Sequence, residues 1–141
     1  MPSELDIFQA QAKAIWAGEC DVAIMNSYYF GKMKFNNKQP EQQDWAKALT
    51  LMFVNQDDRG QHVNISAGGI VKTSDNKEEA MAFLEWLTSD EAQQIYASVN
   101  YEYPVNPAVP ADNEVASWGQ FKVDQLPIST IAKLSPAAQI I

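Results

Sequence analysis

The chain has one cysteine and one histidine in 141 residues, and each scarcity closes a class of chemistry. With Cys20 alone there can be no intrachain disulfide and no cysteine-based metal cluster. Beside an apolar run, that thiol reads as a small buried hydrophobe. With His62 alone, any Ser–His or Cys–His catalytic pair would have to use it, and its place at the start of an alternating stretch reads as structural. Basic residues are also few: ten Lys and Arg against eighteen Asp and Glu leave a net charge of −8. Nucleic-acid binders need a basic face to displace counterions, so this balance argues against DNA, RNA and anionic membrane surfaces. No apolar run approaches the ~20 residues that cross a bilayer. Met1-Pro2-Ser3-Glu4 leads straight into an amphipathic pattern, so no signal peptide is expected. A phosphate-cradling glycine loop, an HExxH pair and a nucleophile elbow are all missing. An enzyme is therefore not expected.

What is present reads as one folded α/β domain. A hydrophobic share of 46% with 20% charged residues fits a chain that buries a core. The spacing of Leu5, Phe8, Ala12 and Ile15 predicts a helix over 4–17, with a capping box from Ser3 to Asp6 and Gly18 just past its end. Strands are expected at 21–25, 48–54, 62–66 and 70–72, a short helix or turn at 29–35, and a short helix around 41–47. Gly31 allows a close approach, and the pair Gly68-Gly69 suggests a bulge or a close backbone approach. Ser74 or Asp75 is expected to cap a helix with Ala80, Phe83, Leu84 and Leu87 on one face. Ser89 starts another carrying Ala92, Ile95, Tyr96 and Val99. Pro104, Pro107 and Pro110 make 100–112 an irregular loop. Trp118, Phe121, Val123 and Leu126 are expected to cluster, and Ser129–Leu134 to be helical. Glu78, Glu79, Glu85, Asp90 and Glu91 read as solvated helix exteriors.

The run Asp21-Val22-Ala23-Ile24-Met25 ends on Asn26 and Ser27, which can cap a helix beginning there, and then on Tyr28 and Tyr29. In open α/β sheets the loop past a strand's carboxyl end is where ligands bind. Phenolate is a hard anionic donor suited to a small trivalent cation such as Fe(III). A free phenol titrates near ~10, so a metal must displace the proton, and a highly charged ion can do so at neutral pH. Adjacent strand residues point to opposite faces, so two neighbouring phenols share one ion only if the backbone turns there. Two aromatics simply packing at a strand end is the plainer alternative.

Four motifs occur in one order: Asn26-Ser27-Tyr28-Tyr29, His62-Val63-Asn64-Ile65-Ser66-Ala67-Gly68-Gly69, Ser89-Asp90-Glu91-Ala92-Gln93 and Asn100-Tyr101-Glu102-Tyr103-Pro104-Val105. Together they resemble the carboxyl-terminal half of the ferric-ion-binding periplasmic proteins of bacterial ABC importers. The resemblance implies a type II periplasmic-binding-protein fold, two α/β lobes closing on iron, here incomplete. It implies Tyr28 and Tyr29 as iron ligands and Asn26 as a contact to a synergistic anion, phosphate or carbonate. Tyr101 and Tyr103 belong to a family motif and read as structural. Residues 1–58 would form part of the carboxyl-terminal lobe, 59–109 would cross to the amino-terminal lobe, and 110–141 would return. The implied partners are ferric iron and an ABC permease, without membrane insertion, and the implied location is the periplasm.

Family members are about twice as long, and the apolar ending Ile140-Ile141 has no cap, so a fragment is expected. Iron should then bind weakly or not at all, and apolar surface left uncovered would favour a homodimer. Two rival readings stay open. One is a fragment tuned to another small solute that stacks on the tyrosines; the other is a structural or interaction fragment that binds nothing small.

Overall fold

In the computed structural model, which describes residues 4–138, the regular structure is helical: seven α-helices and one π-helical turn among the described residues. They are α1 (Glu4–Trp16), α2 (Ser27–Lys34), α3 (Glu41–Lys47), α4 (Lys77–Leu87), α5 (Asp90–Ile95), α6 (Asn113–Ser117) and α7 (Ile128–Ala138). The π-helical turn, Tyr96–Asn100, follows α5 directly. The capping box at Ser3, the side chain of Leu5 and the ending Ile140-Ile141 lie outside what is described.

Helix ends follow their local chemistry. Gly18, at φ 75°, closes α1: its N–H donates to the carbonyl of Ile15 at 3.0 Å, and Glu19 N–H donates to that of Ala14 at 2.8 Å. This paired ending satisfies carbonyls that the helix leaves orphaned, and the left-handed residue is cheapest as glycine. Ser89 caps α5 by accepting from Ala92 N–H at 3.3 Å, and Asp112 caps α6 by accepting from Glu114 N–H at 2.9 Å. At α4 the cap position falls to Asn76, one residue past Asp75 and two past Ser74, and Ser74 Oγ accepts the Asn76 N–H.

Two compact units share the chain. The first runs to Leu51 and resumes over Ser66–Gly119. Its core is Ala12 of α1, Phe30 and Met33 of α2, and Ala46 of α3, with Met25, Trp45, Leu49, Leu51 and Trp118 packed around them. Here α2 and α1 pack on α3, α4 packs on α5, and α2 also touches the π-helical turn. The second unit joins Met52–Ile65 to the chain from Gln120 onward. Its centre is a parallel bridge between Gln61 and Val123, with Phe53 stacked on Phe121 at 4.3 Å and Arg59 Nε 3.0 Å from Asp124 Oδ2. Gly60 is required there: its φ is 104°, and a Cβ would meet the Lys122 carbonyl oxygen at 2.7 Å.

The four expected strands are the main correction. None forms among the described residues, where that single bridge is the only β pairing. In 21–25 alternation leaves Ala23 and Met25 half-buried, while Val22 and Ile24 are 74% and 87% exposed. A strand exists only as a ladder, and this run has no ladder partner among the described residues. The same lack of cover leaves Cys20 exposed rather than buried. Ile95 and Val99, carried by the helix that Ser89 starts, are exposed and line an apolar groove with Phe83 and Trp86. The expected aromatic cluster is shared out: Trp118 meets Phe30 edge-on at 5.9 Å, whereas Phe121 stacks on Phe53.

Candidate metal centre

Asn26 is extended, at φ −72° and ψ 133°, and Ser27 opens α2. The backbone therefore turns just before the tyrosine pair, which puts Tyr28 and Tyr29 in the first helical turn. Their ring centroids lie 4.4 Å apart at an interplanar angle of 51°. Phe8 of α1 supports Tyr29 at 4.7 Å and 34°, and Lys32 Nζ lies 5.3 Å over the Tyr28 ring. Both phenols are half-buried. The side chain of Asn26 does not cap the helix as its position suggests; its Nδ2 donates to Tyr28 Oη at 3.2 Å. The three residues singled out in the sequence thus lie together, Asn26 joined to Tyr28 by an amide-to-phenol hydrogen bond and Tyr28 to Tyr29 by ring contact.

The rest of α2 is held by contacts that the residue pattern hints at only through Gly31. A Cβ on Gly31 would lie 2.5 Å from Tyr101 Cγ, so the bare backbone is what admits that ring. Tyr101 also stacks on Phe35 at 5.7 Å and 16°. Lys34 Nζ donates to both carboxylate oxygens of Glu114, at 2.6 and 2.8 Å, and Trp118 Nε1 donates to Glu114 Oε1 at 3.0 Å. Burial alone would push the Glu114 carboxyl up, but these donors and the Lys34 charge outweigh it and hold the group below its usual value. Tyr101 moves the other way: burial, then the charges of Asp112 and Glu114, raise its phenol above the ordinary value. Burial raises Tyr103 too, whose ring meets Trp118 edge-on at 6.4 Å. Both rings are engaged in packing, Tyr101 on Phe35 and Gly31 and Tyr103 on Trp118.

Other donor types are not gathered. Among the described residues no three His, Cys, Asp or Glu side chains converge. His62 belongs to the second unit, is exposed, and has Nε2 3.2 Å from Asn64 Oδ1. Glu78, Glu79, Glu85, Asp90 and Glu91 are exposed as expected. The polar groups placed at the head of α2 are the two phenols, with the Asn26 amide on the Tyr28 oxygen.

The chain belongs to the bacterial extracellular solute-binding protein family, whose profile matches residues 8–94. Within that family the similarity runs to ferric-iron proteins. The chain is 43% identical to "Iron uptake protein A1" of Synechocystis over 128 residues, 91% of this chain and 34% of the relative. It is 30% identical to the "Major ferric iron-binding protein" of Neisseria meningitidis serogroup B over 92% of this chain and 38% of the relative. The solved ferric binding protein from Campylobacter jejuni superimposes with a TM-score of 0.88 at 38% identity, over 94% of this chain and 42% of that one. A Trichodesmium protein in complex with iron and citrate ligands gives 0.84 at 45% identity, over 92% and 41%. The chain thus spans between about a third and two-fifths of the length of these relatives. Its fold class is α/β, an incomplete share of the two-lobe type II periplasmic-binding-protein fold.

Proposed function

We propose that this chain is the iron-gripping part of a solute-binding component for ferric iron uptake by an ABC importer. Tyr28 and Tyr29 are its metal ligands through tyrosinate oxygens, and Asn26 contacts a synergistic anion. The observation that carries the reading is the tyrosine pair in one helical turn with the Asn26 amide on the Tyr28 oxygen. Fe(III) displaces both phenolic protons as it binds. The Asn26 N–H donor then faces a charged oxygen, and such hydrogen bonds are about twice as strong as neutral ones.

Two phenolates leave coordination positions open, which an oxyanion fills. Phosphate and carbonate have the right chemistry, and citrate joins them because a relative holds iron with citrate. The chain alone is then expected to hold iron less tightly than a full-length relative. Delivery to a permease, a periplasmic location, and division of residues 1–58, 59–109 and 110–141 between two lobes belong to the same proposal. So does self-association through exposed apolar side chains such as Val22, Ile24 and Val71. A single monomeric boundary in sedimentation at micromolar concentration would remove that last element.

The tilt of 51° between the rings gives no common flat face, which counts against an organic solute stacking on the pair. The family is one of solute binders, and the roles given to the three residues are those of binding, not turnover. Equilibrium dialysis against radiolabelled ferric citrate tests the reading. Saturable retention of about one iron per chain, abolished in Tyr28→Phe/Tyr29→Phe, is the expected result. Equal retention by wild type and double variant would overturn it.

A further inference from the structure

The stretch Tyr101–Val105 of the fourth motif takes no part in the proposed iron chemistry, yet residues of the other three motifs or their flanks meet on it. The ring of Tyr101 covers the bare backbone of Gly31, in the helix that begins with the tyrosine pair. Ser66 Oγ donates to Glu102 Oε2 at 3.0 Å. Gln93 Oε1 accepts from Val105 N–H at 2.8 Å. This short stretch therefore ties together segments separated by tens of residues.

Its first residue is held in an unfavourable conformation. Tyr101 has φ 59° and ψ 37°, a left-handed backbone that costs a bulky side chain energy and persists only where its surroundings demand it. It follows a π-helical turn, Tyr96–Asn100, a rare geometry that often marks functional positions. Gly31 is the complementary oddity. A glycine inside a helix weakens it, and here a Cβ would lie 2.5, 2.8 and 2.9 Å from Tyr101 Cγ, Cδ2 and Cβ. Two locally unfavourable choices thus meet at one contact, three residues from Tyr28 and two from Tyr29. Stacking of Tyr101 on Phe35 extends the contact to the end of α2.

We infer that Tyr101 is a positioning residue for the tyrosine pair: seated on Gly31, its ring sets the rotation of α2 and so the direction in which the first turn presents Tyr28 and Tyr29. The short helix has eight residues, and a small rotation about its axis would swing both phenols together. Ligand sets depend on such supporting contacts, whose loss commonly weakens metal binding by roughly 10–100-fold. This inference rests on the iron-binding reading for its consequence, and on packing alone for its mechanism.

The test compares Gly31→Ala, Tyr101→Ala, Tyr101→Leu and Tyr101→Phe with Val115→Ala, a control at a fully buried position of the same unit. Two readouts are taken. Proton NMR of the iron-free protein reads the ring-to-ring contacts of Tyr28, Tyr29 and Phe8. Ferric citrate titration reads the iron–phenolate absorption band and its midpoint. Tyr101→Phe keeps both signals. Gly31→Ala, Tyr101→Ala and Tyr101→Leu lose or weaken the ring contacts, shift the band, and raise the midpoint about tenfold. Val115→Ala lowers the melting temperature but leaves contacts and band position unchanged. Unaltered ring contacts in folded Gly31→Ala and Tyr101→Leu would overturn the inference. A wild type without any band would sink the iron reading instead, while the ring contacts still decide the positioning role.

Discussion

Lys34 at the end of α2 donates to both oxygens of Glu114 at the start of α6, tying together two helices whose residues lie 80 positions apart. Trp118 adds a third hydrogen bond to the same carboxylate and rests edge-on against Phe30 in the core. The ion pair therefore fixes the rear of the tyrosine helix to the first unit's packing.

That arrangement sets a pH dependence. Because the folded carboxyl is held below its ordinary value of 4.5, the folded state binds fewer protons in that range than the unfolded chain does. Its stabilisation is fully present above the ordinary glutamate value and is lost as pH falls through the depressed one. Glu114→Gln should cost about 1 kcal/mol at neutral pH, a modest figure because Lys34 is partly exposed and solvent screens the pair. Urea melts from pH 3 to 7 should show a shallower acid limb in the variant; an identical limb would rule out Glu114 as the source of the pH dependence.

Asn26→Ala separates ligand support from helix capping. The side chain makes no cap hydrogen bond, so α2 and global stability should change by less than ~0.5 kcal/mol. Ferric binding, measured by citrate competition, should weaken about five- to tenfold, because a hydrogen bond to a charged oxygen contributes roughly 1.5 kcal/mol. Equal affinities would take Asn26 out of the site.

Gln93 offers a prediction about order of effects. It is 8% exposed, donates through Nε2 to the Leu87 carbonyl at 2.7 Å, and accepts from Val105 N–H. Gln93→Ala orphans two backbone groups and should cost about 2 kcal/mol. Ser89→Ala loses only the cap of α5, about 1 kcal/mol. Chemical denaturation that ranked Ser89→Ala as the more damaging would contradict this reading of the clamp.

How much of this was legible in the residues depends on range. Helices α1, α2, α3 and α5 arise from periodicity and from Gly18 and Ser89, because those signals act within a few residues. The grouping of Asn26 with Tyr28 and Tyr29 was legible for the same reason: one local turn brings them together. Gly31 announced a close approach but could not say that Tyr101 makes it. The Lys34–Glu114 pair and the Gln93 clamp left no trace, since each joins segments that only the folded chain brings together. The strands failed differently. Val22 and Ile24 carry a sound local preference, but a strand needs a neighbour, and periodicity cannot see whether one exists.

The iron-binding proposal makes the head of α2 a phenolate site for Fe(III). A visible-absorbance titration with ferric citrate, on wild type and on Tyr28→Phe/Tyr29→Phe, tests it most directly. A phenolate site predicts a charge-transfer band that grows to saturation in wild type and is missing from the double variant. Saturable iron binding without that band, or a band that survives loss of both phenols, would contradict it.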